Sequence, residues 1–340
     1  MQKINKSDDA VSEILGLILV IFISVTAVSA VMIWGVVYMQ QEKSDAAFES
    51  SEMQLNKINE LIKGSIISQG FSSSNTYQFV TSNGQLSLKE NGERFIIYYS
   101  LDQNFDFDVS DLEESDSDPD ETNFQITINP PNDPSDYQAH IYYLYKNPVT
   151  DETIAINTPC TNSLHNTIKI DIEKDESGDI SIYGTIWLFD LSYIKHQSTT
   201  NTGTKTIIIE NGALMSNIGG GYYVFDKPNF YSFEALEGSN FVSIRIIDYD
   251  FEELSFSGLN TDMKIQFDVK NKNYYPREKK ATIPALKIQI YGDSYIVDSW
   301  KNLFEDTYGF DEEVGYIELE GPFVFNLIHS IIEVDAKIIR

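Results

Sequence analysis

The sequence predicts an α+β chain: a long amino-terminal helix that crosses a membrane and continues as a spine, followed by a β-rich, mainly antiparallel extracellular domain. Three observations carry this expectation. Ile14 to Met39 runs for 26 residues without a charged side chain. Residues 40–63 contain neither Pro nor Gly and place Phe48, Leu55, Ile58 and Ile62 at helical spacing. From about Phe71 the pattern changes to short runs rich in Ile, Tyr, Phe and Thr, punctuated by Asn-Gly, Gly and Pro.

Composition narrows the function. Lys and Arg number 24 against 52 Asp and Glu, a formal charge of −28 in 340 residues. Phosphate backbones repel such a polyanion, so nucleic acid is not an expected partner. The single cysteine, Cys160, excludes an intrachain disulfide and a Cys-rich zinc or iron–sulfur site. A hydrophobic fraction of 42% and an aromatic fraction of 13% supply a core held by packing and hydrogen bonding alone. No repeat of fixed period suggests a solenoid or propeller.

The apolar run comes first. At about 1.5 Å per residue it makes a helix about 39 Å long, more than the roughly 30 Å hydrocarbon layer. Ser24, Thr26 and Ser29 are tolerable there because hydroxyls bond back to the helix backbone. Lys3 and Lys6 precede the run, while Glu42, Asp45, Glu49 and Glu52 outnumber Lys43 after it, which orients residues 1–10 to the cytoplasm and the rest outside. A secretory signal peptide cut after Ala30 fits less well, since its apolar region is about 7 to 15 residues and this one continues to Met39.

The boundary of the run reads Ser7-Asp8-Asp9-Ala10-Val11-Ser12-Glu13-Ile14-Leu15-Gly16. This resembles the amino-terminal signature of archaeal type IV pilin-like proteins, in which a short charged leader ends in an acidic and a small residue and the apolar helix follows at once. The resemblance implies a prepilin peptidase as partner, cutting between Ala10 and Val11 and leaving the helix on the mature protein. Glu13 would then be the third mature residue; a cut between Asp8 and Asp9 would make it the fifth, the commoner place for a pilin glutamate, and both scission points stand. The resemblance also implies that Glu13 pairs with a free amino terminus during assembly with other pilin-like subunits. On physical grounds alone, Glu13 equally suits the headgroup layer at the first turn of a helix, where the macrodipole favours an anion.

The expected segments are a leader (1–10), a transmembrane helix (11–39), its helical extension (40–63, stopped by Gly64), and two β-rich extracellular regions (64–199 and 200–340) with a short helix near 294–305. In the first region Asn83-Gly84 and Asn91-Gly92 signal hairpins, and Ile168, Ile170 and Ile172 alternate as on a half-buried strand. In the second, Thr206 to Met215 reads as strand, Asn-Gly turn, strand, and Leu286 to Ile290 leads into the aromatic-faced helix. Glu313 to Glu320, Phe323 to Leu327 and Ile331 to Ile338 close the chain as three strands. The Glu-Asn-Gly-Ala run, the Gly219–Gly221 cluster and the loop at Pro228 also resemble ectodomains carried on archaeal pilin-like helices.

The acidic stretch around Asp116, Asp118 and Asp120 offers alternate carboxylates that could converge on calcium. Its sixth position is Glu121 rather than Gly and its twelfth is Thr127 rather than Glu, so it is not an EF-hand, and a solvated acidic loop is the default reading. No other cofactor is expected. His140, His165, His196 and His329 stand in no metal-ligand spacing, and Cys160 with His165 lacks a third group, so the chain does not read as an enzyme. The expected role is structural, as a pilin-like or minor-pilin-like component of a surface filament packed through its apolar helix. The alternative is a monomeric binding or adhesion protein, calcium-dependent or not, that uses the helix only as an anchor.

Overall fold

The computed structural model describes residues 5–67, 74–81, 84–90, 92–112, 121–129, 133–144, 152–156, 160–163, 167–176, 178–200, 203–217, 220–228, 231–234, 240–252, 254–257, 261–275 and 282–339. One long apolar helix, α1 (Asn5–Ile67), leads into a β-rich, mainly antiparallel domain that contains a second helix, α2 (Ser294–Tyr308).

The expected stop at Gly64 is not observed: α1 passes through it to Ile67. A Cβ at Gly64 would meet nothing, so no contact makes glycine necessary there. Burial of Ile66 instead extends the stripe of Phe48, Leu55, Ile58 and Ile62 by one more turn, and tertiary packing outweighs the roughly 1 kcal/mol propensity cost of an internal glycine.

Three sheets are present among the described residues. The largest has twelve strands; its main path runs from Ser74–Thr81 through Thr261–Tyr275, Ile317–Ile338, Thr282–Tyr291, Arg94–Ser100, Asp179–Asp190, Ile168–Glu176 and Gln138–Tyr143 to Glu152–Ala155. A six-stranded sheet orders Tyr222–Asp226, Ala213–Asn217, Gly203–Glu210, Tyr193–Thr200, Gln85–Lys89 and Leu254–Ser257. A three-stranded sheet joins Phe107–Leu112, Glu121–Ile128 and Cys160–Ser163. Strands from before and after residue 200 share both larger sheets, so that position does not separate two sheet units. Asn240–Asp250 lies parallel to Ile317–Ile338, while the other described pairings are antiparallel.

The strands flanking Asn83-Gly84 and Asn91-Gly92, where hairpins are expected, do not pair with each other among the described residues. Ser74–Thr81 pairs with Thr261–Tyr275 in the large sheet, Gln85–Lys89 pairs with Tyr193–Thr200 in the six-stranded sheet, and Arg94–Ser100 returns to the large sheet. Both glycines are required by close approach instead: a Cβ on Gly84 would come within 2.6 Å of the Gln197 carbonyl, and one on Gly92 within 2.5 Å of Glu210 Oε1. The Asn-Gly hairpin that does form is Asn211-Gly212, with φ of 48° and 72°, as a two-residue turn with both central residues left-handed demands.

The three closing strands are one, Ile317–Ile338. Its alternation serves two cores in succession. Phe323, Phe325 and Leu327 enter a cluster with Trp187, Trp300 and Phe304, while Ile332, Val334 and Ala336, on the opposite face, enter the cluster around α1. A bulge between Ile283 and Ala285 accommodates Gly321, where a Cβ would lie 2.5 Å from the Pro284 carbonyl oxygen.

The six-stranded sheet is buried on both sides, with Ile207, Ile209 and Leu214 toward α1 and Ile208, Ala213 and Met215 toward the large sheet and α2. A third cluster seals the outer face of the large sheet, where Ile96 and Tyr98 meet Phe107, Val109, Phe124 and Ile126 of the three-stranded sheet. Asp293 caps α2 by accepting the Tyr295 N–H at 3.0 Å, and Gly309, at φ 73°, ends it.

Candidate functional site: the apolar helix and its socket

α1 is built of two chemically different halves. No residue in its apolar window is buried, and it is the one helix among those described that is long and apolar enough to cross a membrane. Trp34 is 80% exposed and Phe22 71%, values that water would penalise over such a length. Thr26 Oγ1 donates to the Phe22 carbonyl at 2.7 Å, so this hydroxyl is satisfied within the helix. Ala30, Val31, Trp34, Gly35 and Tyr38 outline a shallow apolar groove along the same half.

Ala10, Val11 and Glu13 lie in the helical backbone at the start of α1. Asp116, Asp118 and Asp120 fall outside the described residues. Among the described residues no group of three or more His, Cys, Asp or Glu is placed to hold a metal ion. Cys160 opens a short strand, and His165 lies outside the described residues.

From Ser44 onward α1 sits in a socket. Phe48, Leu55, Ile58, Ile62 and Ile66 pack on Phe79, Leu86, Leu88, Ile194, Ile207 and other core residues of both sheets. Polar contacts index the helix along its length. Lys205 Nζ reaches Asp45 at 2.7 Å and lies 5.3 Å from the centre of the Phe48 ring. Gln54 donates to the Val80 carbonyl at 3.1 Å and accepts the Val80 N–H at 2.8 Å, standing in for a neighbouring strand along Ser74–Thr81. Asn59 donates to the Gly212 carbonyl at 3.0 Å and to Asp226 at 2.7 Å, and Lys63 reaches the same Asp226 oxygen at 2.8 Å.

The socket also holds a buried histidine. His196 is fully enclosed, edge-on to Phe79 with ring centroids 6.0 Å apart, and neither ring nitrogen has a hydrogen-bond partner among the described residues. Burial pushes its pKa down to about 4, so it is neutral at pH 7. His329, buried beside Phe189, is pushed down to about 4 for the same reason. Its spacing made His196 unremarkable in the sequence; its place on the inward face of Tyr193–Thr200 becomes visible only through the strand register.

A second buried polar group escaped sequence reasoning entirely. Glu210 is inaccessible; its Oε1 accepts the Glu93 N–H at 3.1 Å and its Oε2 accepts Trp300 Nε1 at 2.9 Å. Glu93 lies beside it, also buried. Burial and then the neighbouring Glu210 raise the Glu93 carboxyl well above the ordinary carboxylate range, and burial raises Glu210 too. The pair therefore keeps a proton and ties α2 to the six-stranded sheet. The two glutamates are far apart in sequence, and nothing local marks either.

A polar cleft of about 360 Å³ opens between Gln103–Phe107 and the Thr282–Tyr291 and Ile317–Ile338 strands. Lys287 crosses it, 3.1 Å from Asp106 and 5.0 Å from the Tyr316 ring centre, so its one cation is already occupied within the fold.

Compared with family models, curated proteins and solved structures, the chain finds no match in any of the three. The geometry of α1 and its socket therefore carries the functional reading.

Proposed function

We propose that the chain is a membrane-anchored surface protein that acts as a pilin-like or minor-pilin-like subunit, held in the bilayer and packed in a filament through the first half of α1. The observation that supports this is the continuous apolar surface from Ile14 to Met39, none of it buried, on a helix whose second half is firmly seated in the domain. Such a surface requires lipid or other apolar helices around it. The leader-like Ser7–Gly16 boundary supports processing by a prepilin peptidase between Ala10 and Val11, and the charge asymmetry across the run supports an external domain.

Amino-terminal sequencing of the membrane-extracted protein tests the reading. A mature terminus at Val11 or Asp9 is the expected result, together with recovery of the chain in sheared filaments. An intact Met1 removes processing, and a terminus beyond Ala30 removes the anchor. A processed chain that remains monomeric in the membrane fraction replaces the filament subunit with an anchored binding protein.

A further inference from the structure

We propose that the end of the six-stranded sheet nearest residue 40 rests on the headgroup layer of the bilayer, making its uncharged strand ends a lipid-facing surface. This rests on the reading that Ile14 to Met39 spans the membrane.

Three contacts fix the sheet along α1: Lys205 with Asp45, the Gly212 carbonyl with Asn59, and Asp226 with Lys63. From Asp45 to Asn59 the helix rises about 21 Å, and from Lys205 to Gly212 an extended chain covers about 23 Å. The near equality means that Gly203–Glu210 runs alongside α1 in the same direction. Gly203 therefore lies about 7 Å below the level of Lys205, while Met39 lies about 9 Å below Asp45. The strand end comes level with the end of the apolar run. Register brings the neighbouring strand ends to the same side, since Thr200 pairs with Gly203, Asn217 with Thr206, and Gln85 with both Gln197 and Ser257. The large-sheet strand packed on α1, Ser74–Thr81, ends higher: Val80 is bonded to Gln54, about 22 Å above Met39.

Charge divides the sheet the same way. At the near end Gln85, Thr199, Thr200, Thr204, Asn217 and Ser257 are uncharged, and Lys205 is paired with Asp45. Of the sheet's own strands only Asp226, paired with Lys63, and the enclosed Glu210 are carboxylates, and both stand at the far end, where Lys89 also lies. In a chain with 52 acidic residues, the described strand ends at this rim carry no carboxylate of their own and Asp45 of α1 is paired with Lys205, which limits the repulsion that an anionic leaflet would exert, while the rim's hydroxyls and amides suit phosphate and glycerol oxygens. Gly203 and Gly220 turn at φ of 125° and 138°, and a Cβ on either would meet nothing.

Nitroxide depth measurement on the full chain in nanodiscs of phosphatidylcholine and phosphatidylglycerol, with Cys160→Ser as background, tests this. Labels are placed singly through Thr204→Cys, Lys89→Cys at the far end of the sheet, and Ile23→Cys in the apolar run. The expected result is an Ile23 label accessible to oxygen but not to a nickel chelate, and a Thr204 label several-fold less accessible to nickel than the Lys89 label. A Thr204 label as nickel-accessible as Lys89, with Ile23 still in lipid, overturns the proposal and leaves the anchor standing. A nickel-accessible Ile23 label overturns the anchor and the proposal together. In a second arm, Thr199→Glu with Thr204→Glu is expected to raise nickel access at a label on Asn217→Cys several-fold in the same nanodiscs; no change overturns the assignment of the rim to the lipid surface.

Discussion

The two halves of α1 share one unbroken helix and solve opposite problems. Between Ile14 and Met39 the side chains are apolar on every side and none is buried by the protein. Between Ser44 and Ile67 they are apolar along one stripe, and that stripe is buried to within a few per cent. Helix-forming tendency is common to both halves, so it cannot be what distinguishes their surroundings. An all-round apolar surface fits only an apolar solvent, while a single stripe fits a sheet face. The outer half also carries Gln54, Asn59 and Lys63, whose hydrogen bonds fix its height and rotation against the domain, whereas the inner half has no described contact that would do so.

The sharpest break of this contrast is a charge on each half. Val20→Arg with Ile23→Arg costs about 3 kcal/mol per arginine at a bilayer centre. The double variant should leave the carbonate-resistant membrane fraction while the domain's unfolding temperature stays unchanged. If it remains fully membrane-retained, the inner half is not the anchor.

Truncating the buried stripe should do the reverse. Ile58→Ala removes a fully enclosed side chain and is expected to cost about 2–5 kcal/mol of domain stability, read by denaturant unfolding of the detergent-solubilised chain, with membrane retention intact.

The buried titratable groups sharpen the comparison through pH. His196 and His329 have folded pKa values of about 4, below the unfolded 6.5, so their contribution is complete above 6.5 and is lost as pH falls toward 4. Each accounts for up to about 3 kcal/mol at the acid limit. His196→Leu should flatten that acid slope in unfolding experiments between pH 6.5 and 4, and because His196 sits in the socket, it should also slow the acid-induced exposure of α1 to proteolysis. Glu93 has the opposite sign. With its folded pKa raised, stability is greatest below the unfolded value of 4.5 and declines as pH climbs, and Glu93→Gln should reduce the decline measured from pH 5 to 9.

The smallest effects separate structural polar contacts from decoration. Asn59→Ala leaves the enclosed Gly212 carbonyl short of a donor and should cost about 1–3 kcal/mol in the same unfolding assay. Lys57→Ala removes an exposed pair with Glu60 on the opposite face of that helix turn, where both side chains are more than half exposed, and should change stability by less than about 0.5 kcal/mol.

Much of this was legible along the chain because it depended on local periodicity. The absence of charge from Ile14 to Met39 and the spacing of Phe48, Leu55, Ile58 and Ile62 predict both the helix and which face of its outer half is enclosed. The alternation of Ile168, Ile170 and Ile172 likewise predicts a buried strand face. Asn-Gly was informative at Asn211-Gly212 and misleading at Asn83-Gly84 and Asn91-Gly92. The dipeptide reports only that a chain can turn tightly, while the strands flanking the latter two find better partners in different sheets. The helix end at Ile67 and the single Ile317–Ile338 strand are not legible locally, because distant packing on Ile66 and on alternating faces of the strand overrides local punctuation by glycine and proline.

By itself, the sequence determined which stretch is long and apolar enough to cross a membrane, which face of the following helix is covered, and that the remainder forms sheets, because these follow from the arrangement of apolar side chains over a few turns or strands. Only the tertiary structure decided that strands on both sides of residue 200 interleave, that His196 lies in the helix socket, and that Glu93 and Glu210 share an enclosed site with Trp300. Those juxtapositions join residues scores of positions apart, and their energies arise from burial and pairing that no local segment possesses until the chain has closed around it.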